Sequence, residues 1–311
     1  LKVLNYSKKQ WHRVKRSYKF LYRFRICWTN MMIMNAAKFG FFYAMIEYQD
    51  KHPDIELIKN YIHLDLAFKN HRVAIVCVPY GNVSELLKNF DFIQLTEWKW
   101  NFNFHEFSHD KNDTFNGWGN YKGPDLLSKS TRIDEYVHWD LETSYKDEFS
   151  LNEIEILKNL SKSNTLSLRS LDLLSDKQSS GGIRHHLANF AENGIFQLYP
   201  HVAHLGLKDI IFVKIYCKDM EFYKSLQHNF LSFPESHIFT NDKENLIIGY
   251  FHLPSNLTNI VTDQLNLLTL LLGNNIELEY ELLPKDKMLR KFIELSKFNF
   301  AVRHGSAFTV D

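Results

Sequence analysis

One order of secondary-structure elements occurs twice in this chain, and that repetition constrains the fold more than any local feature. In the C-terminal half, residues 210–217 (IIFVKIYC) read as a buried strand, β-branched and aromatic. Residues 220–231 read as a helix, with Phe222, Leu226 and Phe230 spaced to share a face. A short strand at 236–240, a turn at Asn241-Asp242 and a strand at 245–251 (NLIIGYF) follow. A second amphipathic helix covers 257–272, closed by Gly273 as a C-cap. Residues 275–283 (NIELEYELL) alternate apolar and polar, as a half-exposed strand does.

Residues 40–107 repeat the order. FFYAMIEY (41–48) reads as a strand, and 54–64 as a helix with Ile55, Ile58 and Ile62 on one face. A short strand near 66–68 turns at Asn70, RVAIVCV (72–78) is a strand, and 83–90 is a helix. Residues 92–104 read as one last strand, ending in alternating Trp98, Trp100, Phe102 and Phe104. Both halves therefore spell β-α-β-β-α-β, the split arrangement of ferredoxin-like domains, which makes the chain α+β. A shift of 169 residues places Val14 on Ile183, Tyr18 on Leu187, Leu21 on Phe190 and Ile26 on Ile195, so a helix precedes each unit. Two such units in one chain are expected to pack as a pseudo-twofold pair, an intrachain pseudo-dimer; a homodimer through the same sheets is the alternative.

Charge is balanced overall, at a net +1, and uneven locally. The first 25 residues carry Lys8, Lys9, Arg13, Lys15 and Arg16 among their bases, with no Asp or Glu and with aromatic residues interleaved. Such a run is either a solvated basic face or a phosphate-contacting surface. Residues 105–150 hold ten acids against five bases, with Gly117, Gly119, Gly123 and Pro124 and no sustained periodicity. They read as a linker outside both cores. The longest apolar run, around 265–272, is too short for a membrane span, and the basic N-terminus has no apolar region with a cleavage site. Cys27, Cys77 and Cys217 are scattered and form no C-x-x-C, which points to a reducing cytoplasm and no disulfide framework.

Upstream of the second unit, 152–162 reads as a helix with Ile154, Leu157 and Leu160 at core spacing. Ser167 can cap a short helix through Leu174, and Ser179 or Ser180 a third helix with Ile183, Leu187 and Phe190 inward. Gly194 ends that helix and 195–200 (IFQLYP) reads as a strand. Three short helices and a strand match a winged helix-turn-helix, whose third helix would enter the major groove. The stretch from 151 to 217 resembles regulators of the Lrp/AsnC type. Ser179-Ser180, Ile183-Arg184, Leu187, Phe190, Glu192-Asn193-Gly194-Ile195, Tyr199-Pro200 and Leu205-Gly206-Leu207 carry the resemblance. It covers 151–283, with a weaker echo at 8–107. It implies a DNA-binding transcriptional regulator, not an enzyme, with ferredoxin-like units for pairing and a small-molecule effector as a further partner. Lys177, Gln178, Ser179, Ser180, Arg184 and His185 would face double-stranded DNA, joined by Lys8, Lys9, Arg13, Lys15 and Arg16. The implied organisation is a partial winged helix-turn-helix (1–38), a ferredoxin-like unit (39–107), a linker (108–150), a full winged helix-turn-helix (151–205), a second ferredoxin-like unit (206–284) and a C-terminal extension (285–311).

Other chemistry is sparse. There is no G-x-G-x-x-G, Walker loop, H-E-x-x-H or G-x-S-x-G, so no cofactor, metal or catalytic residue is expected. His185 and His186 are adjacent and point about 100° apart on a helix, which suits no shared ion. Trp98, Trp100, Phe102 and Phe104 could stack bases or simply pack a sheet. An alternative from another class stays open. Siroheme decarboxylases resemble this architecture and do porphyrin chemistry, with histidine and basic residues holding propionates. The analogous cluster here would be His185, His186, His201 and His204 near Arg184. A degenerate interaction module without catalysis is a third reading.

Overall fold

The computed structural model describes residues 31–102, 118, 121–128, 136–142, 149–163, 180–199, 206–291, 294–300 and 308–310. They fall into two compact units. One contains the described residues of 31–34, 149–199 and 294–296, and the other those of 35–142, 206–293 and 297–310.

In chain order the elements are β1 (Met31–Met34), β2 (Phe41–Tyr48), α1 (Ile55–Ile58), β3 (Ile62–Ala67), β4 (Arg72–Pro79), α2 (Val83–Leu86), β5 (Phe92–Gln94), β6 (Glu97–Phe102) and β7 (Val137–Asp140). Then come α3 (Leu151–Ser163), α4 (Ser180–Glu192), β8 (Phe196–Tyr199), β9 (Leu207–Cys217), α5 (Met220–Leu231), β10 (Glu235–Asn241) and β11 (Leu246–Pro254). The last are α6 (Thr258–Leu272), β12 (Ile276–Pro284), β13 (Met288–Arg290), β14 (Phe298–Phe300) and β15 (Phe308–Val310).

The larger unit holds two antiparallel sheets, ordered β12-β9-β11-β10-β6-β7 and β13-β3-β4-β2-β5. With the added strands set aside, each keeps the same spatial order of its own four: fourth, first, third, second. The chain is thus α+β with two ferredoxin-like units. Each sheet is completed by the other half of the chain. β6, which follows the first unit, pairs with β10 of the second, and β13, which follows the second unit, pairs with β3 of the first. The crossing takes one step: the Leu95 amide bonds to the Tyr43 carbonyl in one sheet, and the Thr96 amide bonds to the Thr240 carbonyl in the other. The expected single strand at 92–104 is therefore two strands in different sheets, because two adjacent amides find partners on opposite sides.

The sheets face each other across an aromatic seam. Trp98 meets Tyr43 and His63 of the other sheet at ring separations of 6.4 and 5.0 Å, and Phe68 meets Phe212 at 5.5 Å. The helices lie on the outside. Asp219 caps α5 by accepting from the Glu221 and Phe222 amides at 2.9 and 3.0 Å, which satisfies two orphan donors of the first turn. Val261, Leu265 and Leu268 bury the inner stripe of α6. Strands covered on both faces lose the polar alternation, which is why β11 is buried at every position.

The first unit has shorter helices than its periodicity suggests. The expected helix at 54–64 is one turn of α1, a 3-10 turn over Lys59–Tyr61, and then β3 from Ile62. Ile62 and Leu64 serve the ladder with β4 instead of a helix face, a tertiary override of local pattern. The helix at 83–90 shrinks to α2 in the same way. The expectation that 105–150 stands apart from the cores fails at β7, which is the edge strand beside β6. Trp118, Leu126, Trp139 and Leu141 are buried as well. The region 285–311 is no free extension at β13, which is a strand of the first sheet.

In the smaller unit, Ser150 and Glu153 form a capping box on α3. The Ser150 hydroxyl and amide both donate to the Glu153 carboxylate, at 2.8 and 2.9 Å, and the Glu153 amide returns a bond. α4 ends where Gly194 takes a left-handed φ of 66°, and the Ile195 amide reaches back to the Phe190 carbonyl at 2.9 Å. β8 pairs with β1. Among the described residues no helix is long and apolar enough to cross a membrane.

Candidate functional site in the seam between the two sheets

The polar residues that stand out are enclosed in the seam, not exposed on the helical unit. In the antiparallel ladder of β10 and β11, Glu235 lies opposite His252 and His237 opposite Tyr250. Side chains of a strand alternate in direction, so these four share the inner face of the six-stranded sheet. β6 adds Trp100 opposite His237 and Trp98 opposite Phe239. From the facing sheet come Arg290 on β13 and His63 on β3.

Arg290 ties the group together. Its Nη2 donates to the Tyr250 hydroxyl at 2.6 Å and approaches His237 Nε2 at 2.9 Å. A guanidinium has no acceptor, so His237 Nε2 must accept, which leaves that imidazole neutral with its proton on Nδ1. The Arg290 guanidinium carbon stands 5.4 Å from the Tyr250 ring centre, and the His237 and Tyr250 rings stack at 4.6 Å, 8° from parallel. Glu235 Oε1 lies 3.6 Å from His252 Nε2, 3.7 Å from Arg290 Nη2 and 3.8 Å from His237 Nε2. His237 and His252 are 0% and 1% exposed, and Arg290 and Glu235 keep 13% each.

Burial, with repulsion from Arg290 behind it, holds His237 well below its usual range and lowers His63 to about 3. Burial alone would raise the Glu235 carboxyl. His252 and Arg290 outweigh it and keep Glu235 ionised. Burial pushes Tyr250 up to about 12 against the pull of Arg290. The outcome is one carboxylate, one guanidinium, a neutral phenol and neutral imidazoles at His63 and His237. A guanidinium suits a carboxylate or phosphate, and imidazole and phenol are proton carriers at accessible cost.

The first copy does not repeat this set. Besides His63, the inner face of β3 and β4 carries Leu64, Leu66, Val73, Ile75 and Cys77, placed by their pairing with one another and with Tyr43. Two clefts open elsewhere. One of about 420 Å³ lies between α5 and β6, lined by Glu97, Lys99, Tyr223, Gln227, His228 and Asp242. Its floor is internally paired: Glu97 accepts from Lys99 and His138, and Lys99 donates to Gln227 at 2.7 Å. The other, about 500 Å³, is lined by Glu47, His71, Phe212, Glu279, Tyr280 and Glu281.

Of the residues expected to face DNA, Ser180, Arg184 and His185 lie on α4, with His185 exposed. Lys8, Lys9, Arg13, Lys15, Arg16, Lys177, Gln178 and Ser179 lie outside the described residues, as do His201 and His204. His186 does not join His185 in a site. It pairs with Glu153 of α3 at 3.3 Å and stacks on Phe190. Trp98 and Trp100 are 0% and 1% exposed, so they pack the seam and stack no bases. Among the described residues no group of three or more His, Cys, Asp or Glu could hold a metal ion.

Sequence reading missed Glu235, His237, Tyr250, His252, His63 and Arg290. A signal was present: Glu235-Ser236-His237 and Tyr250-Phe251-His252 each place two polar groups on one face of a strand. Pairing them across the hairpin required its register, and Arg290 required the strand exchange.

No family model matches the chain, and no curated protein does. Solved structures similar to it include the siroheme decarboxylase NirDL in co-complex with an iron-uroporphyrin III analogue, at 10% identity and a TM-score of 0.48, covering 90% of this chain and 83% of that one. The siroheme decarboxylase NirDL is similar at 11% identity and a TM-score of 0.48, covering 90% of this chain and 82% of that one.

Proposed function

We propose that this chain is an enzyme that binds a carboxylate-bearing tetrapyrrole in the seam and acts on its carboxylate side chains, the siroheme-decarboxylase reading of its architecture. The observation that carries it is the convergence of Arg290, His237, His252 and Tyr250 on one buried point. Burying such a set costs desolvation, which packing alone does not require. Removing CO₂ from a carboxylate breaks a C–C bond and leaves the electron pair on carbon, so a proton must be delivered there. Arg290 is the anchor for the carboxylate. The proton carriers are His237 and Tyr250, both in contact with Arg290. An arriving carboxylate offsets the repulsion that Arg290 exerts on His237, which after burial is the next cause that holds it down.

The resemblance to Lrp/AsnC-type regulators supports a second reading, DNA binding through α4, but no described contact favours it over the first. An absorbance titration with iron-uroporphyrin III tests the proposal. A saturable shift of the tetrapyrrole band is expected, lost in Arg290→Met. Retention of the shift in Arg290→Met would place the ligand elsewhere. No shift, together with salt-dependent binding to genomic DNA fragments, would favour the regulator.

A further inference from the structure

We infer that the cleft between α5 and β6 is a second ligand site, separate from the seam, and that it takes a small monocarboxylate with a flat apolar body. Strand exchange creates the cleft. The second unit's own strands, β9 to β12, carry the helices α5 and α6, but β6 and β7 widen that sheet without bringing a described helix. Trp98 and Trp100 turn into the seam, so Glu97 and Lys99 face outward beside α5. The hollow at this step measures about 420 Å³, a size suited to a small ligand.

α5 lines the cleft with Met220, Lys224, Gln227, His228 and Leu231, which share one helix face. The groups left unpaired select the ligand. The acceptors are engaged. Glu97 accepts from Lys99, His138 and the Thr240 hydroxyl, Gln227 Oε1 accepts from Lys99 at 2.7 Å, and Asp242 Oδ1 accepts from the Tyr223 hydroxyl at 2.6 Å. The donors are not. Lys224 and the Tyr136 hydroxyl bond to no other described residue. Tyr136 stands beside His228, with 6.2 Å between ring centres. Burial, with repulsion from Lys99 behind it, keeps the His228 imidazole neutral. Its Nδ1 is buried without a partner. A buried lone pair is better tolerated than a buried N–H without an acceptor, so the single proton belongs on Nε2, the nitrogen that keeps accessible surface. An ammonium, an imidazole N–H and a phenol O–H therefore meet an arriving acceptor. Met220 and the Tyr136 ring supply exposed apolar surface for its body. Glu97 and Asp242 oppose a second negative charge, which selects a monoanion over a phosphate dianion.

Naphthoate is a probe of this shape and charge. The full-length chain, labelled at its methionine methyls, should show a saturable movement of the Met220 signal by NMR, the signal being assigned by its loss in Met220→Leu. Equal sodium chloride or inorganic phosphate should not produce it. The His228 ring should titrate at higher pH with the probe bound, because a nearby anion favours the imidazolium. Lys224→Met and His228→Phe should each weaken naphthoate by about tenfold, the loss of one hydrogen bond to a charged group. Iron-uroporphyrin III should bind Lys224→Met as it binds the parent chain. A Met220 signal that does not move, one that chloride or phosphate moves equally, or naphthoate binding undiminished in both variants overturns the inference. Loss of tetrapyrrole binding in Lys224→Met would show the two sites to be one and overturn it as well.

Discussion

A histidine enclosed by aromatic rings and faced by a guanidinium has little choice of charge state. His63 lies 5.0 Å from Trp98 and 6.3 Å from Tyr43 by ring centres, and burial with Arg290 lowers it to about 3. His237 is held down by the same two causes. In the unfolded chain both return to an ordinary value of about 6.5. Only the unfolded chain then takes up these protons as pH falls, so the stability they contribute is full above about 6.5 and drains below it. The expected slope is up to about 1.4 kcal/mol per pH unit for each such histidine. Glu235 and Glu97 are depressed carboxylates whose contribution is lost only below their own unfolded range, near about 4.5. Denaturant midpoints between about pH 7.5 and about pH 5 therefore isolate the histidines. His63→Leu should flatten the pH dependence in that window; an unchanged slope would show that His63 is not held neutral.

Among the elements, β7 departs most from what composition suggests. Its surroundings in sequence are acidic and glycine-bearing, yet Trp139 is buried, at 5.3 Å from Trp98 and 4.5 Å from Trp100 in edge-to-face contact. One aromatic residue on a four-residue strand is enough to bind that strand to a sheet edge, because a buried Trp removes so much apolar surface. Trp139→Ala should cost about 3–5 kcal/mol and speed amide exchange along 137–140, with β9 and β11 speeding only by the loss of global stability. Fast exchange at 137–140 in the parent chain would contradict the pairing with β6. The two-strand reading of 92–102 belongs to this scale too. Trp98 and Trp100 alternate as any strand residues do, and nothing local in Leu95-Thr96 announces a change of sheet.

At the scale of the molecule, the two ferredoxin-like units exchange strands. Opening the first sheet would free β13, take Arg290 away from His237 and expose one side of Trp98. Neither sheet keeps its seam face covered without the other, so they should unfold as one cooperative body. Native-state hydrogen exchange should give the slowest amides of β2, β4, β9 and β11 a common opening free energy. A separate, easier opening confined to β2–β5 would sink this expectation. The same exchange explains why the polar cluster uses both halves. β10 and β11 supply Glu235, His237, Tyr250 and His252, while the facing sheet supplies Arg290 and His63.

The repeated β-α-β-β-α-β order was legible because each element carries its own periodicity, and periodicity is a local property of burial. The strands at 41–48, 72–79 and 207–217 and the helices at 151–163, 180–192 and 220–231 follow from apolar spacing, from capping residues such as Ser150 and Asp219, and from Gly194 at a helix end. Which sheet a strand joins is not local. Thr96 bonds to Thr240, 144 residues away, and Arg290 meets His237 across 53. Such pairings gain energy only when both partners are already placed, so no window of sequence encodes them. The candidate site followed the pairings, not the motifs. Its histidines sit on β-branched and aromatic strands that read as plain core, and only the register of β10 on β11 and the arrival of β13 bring Glu235, His252, His237 and Arg290 to one point.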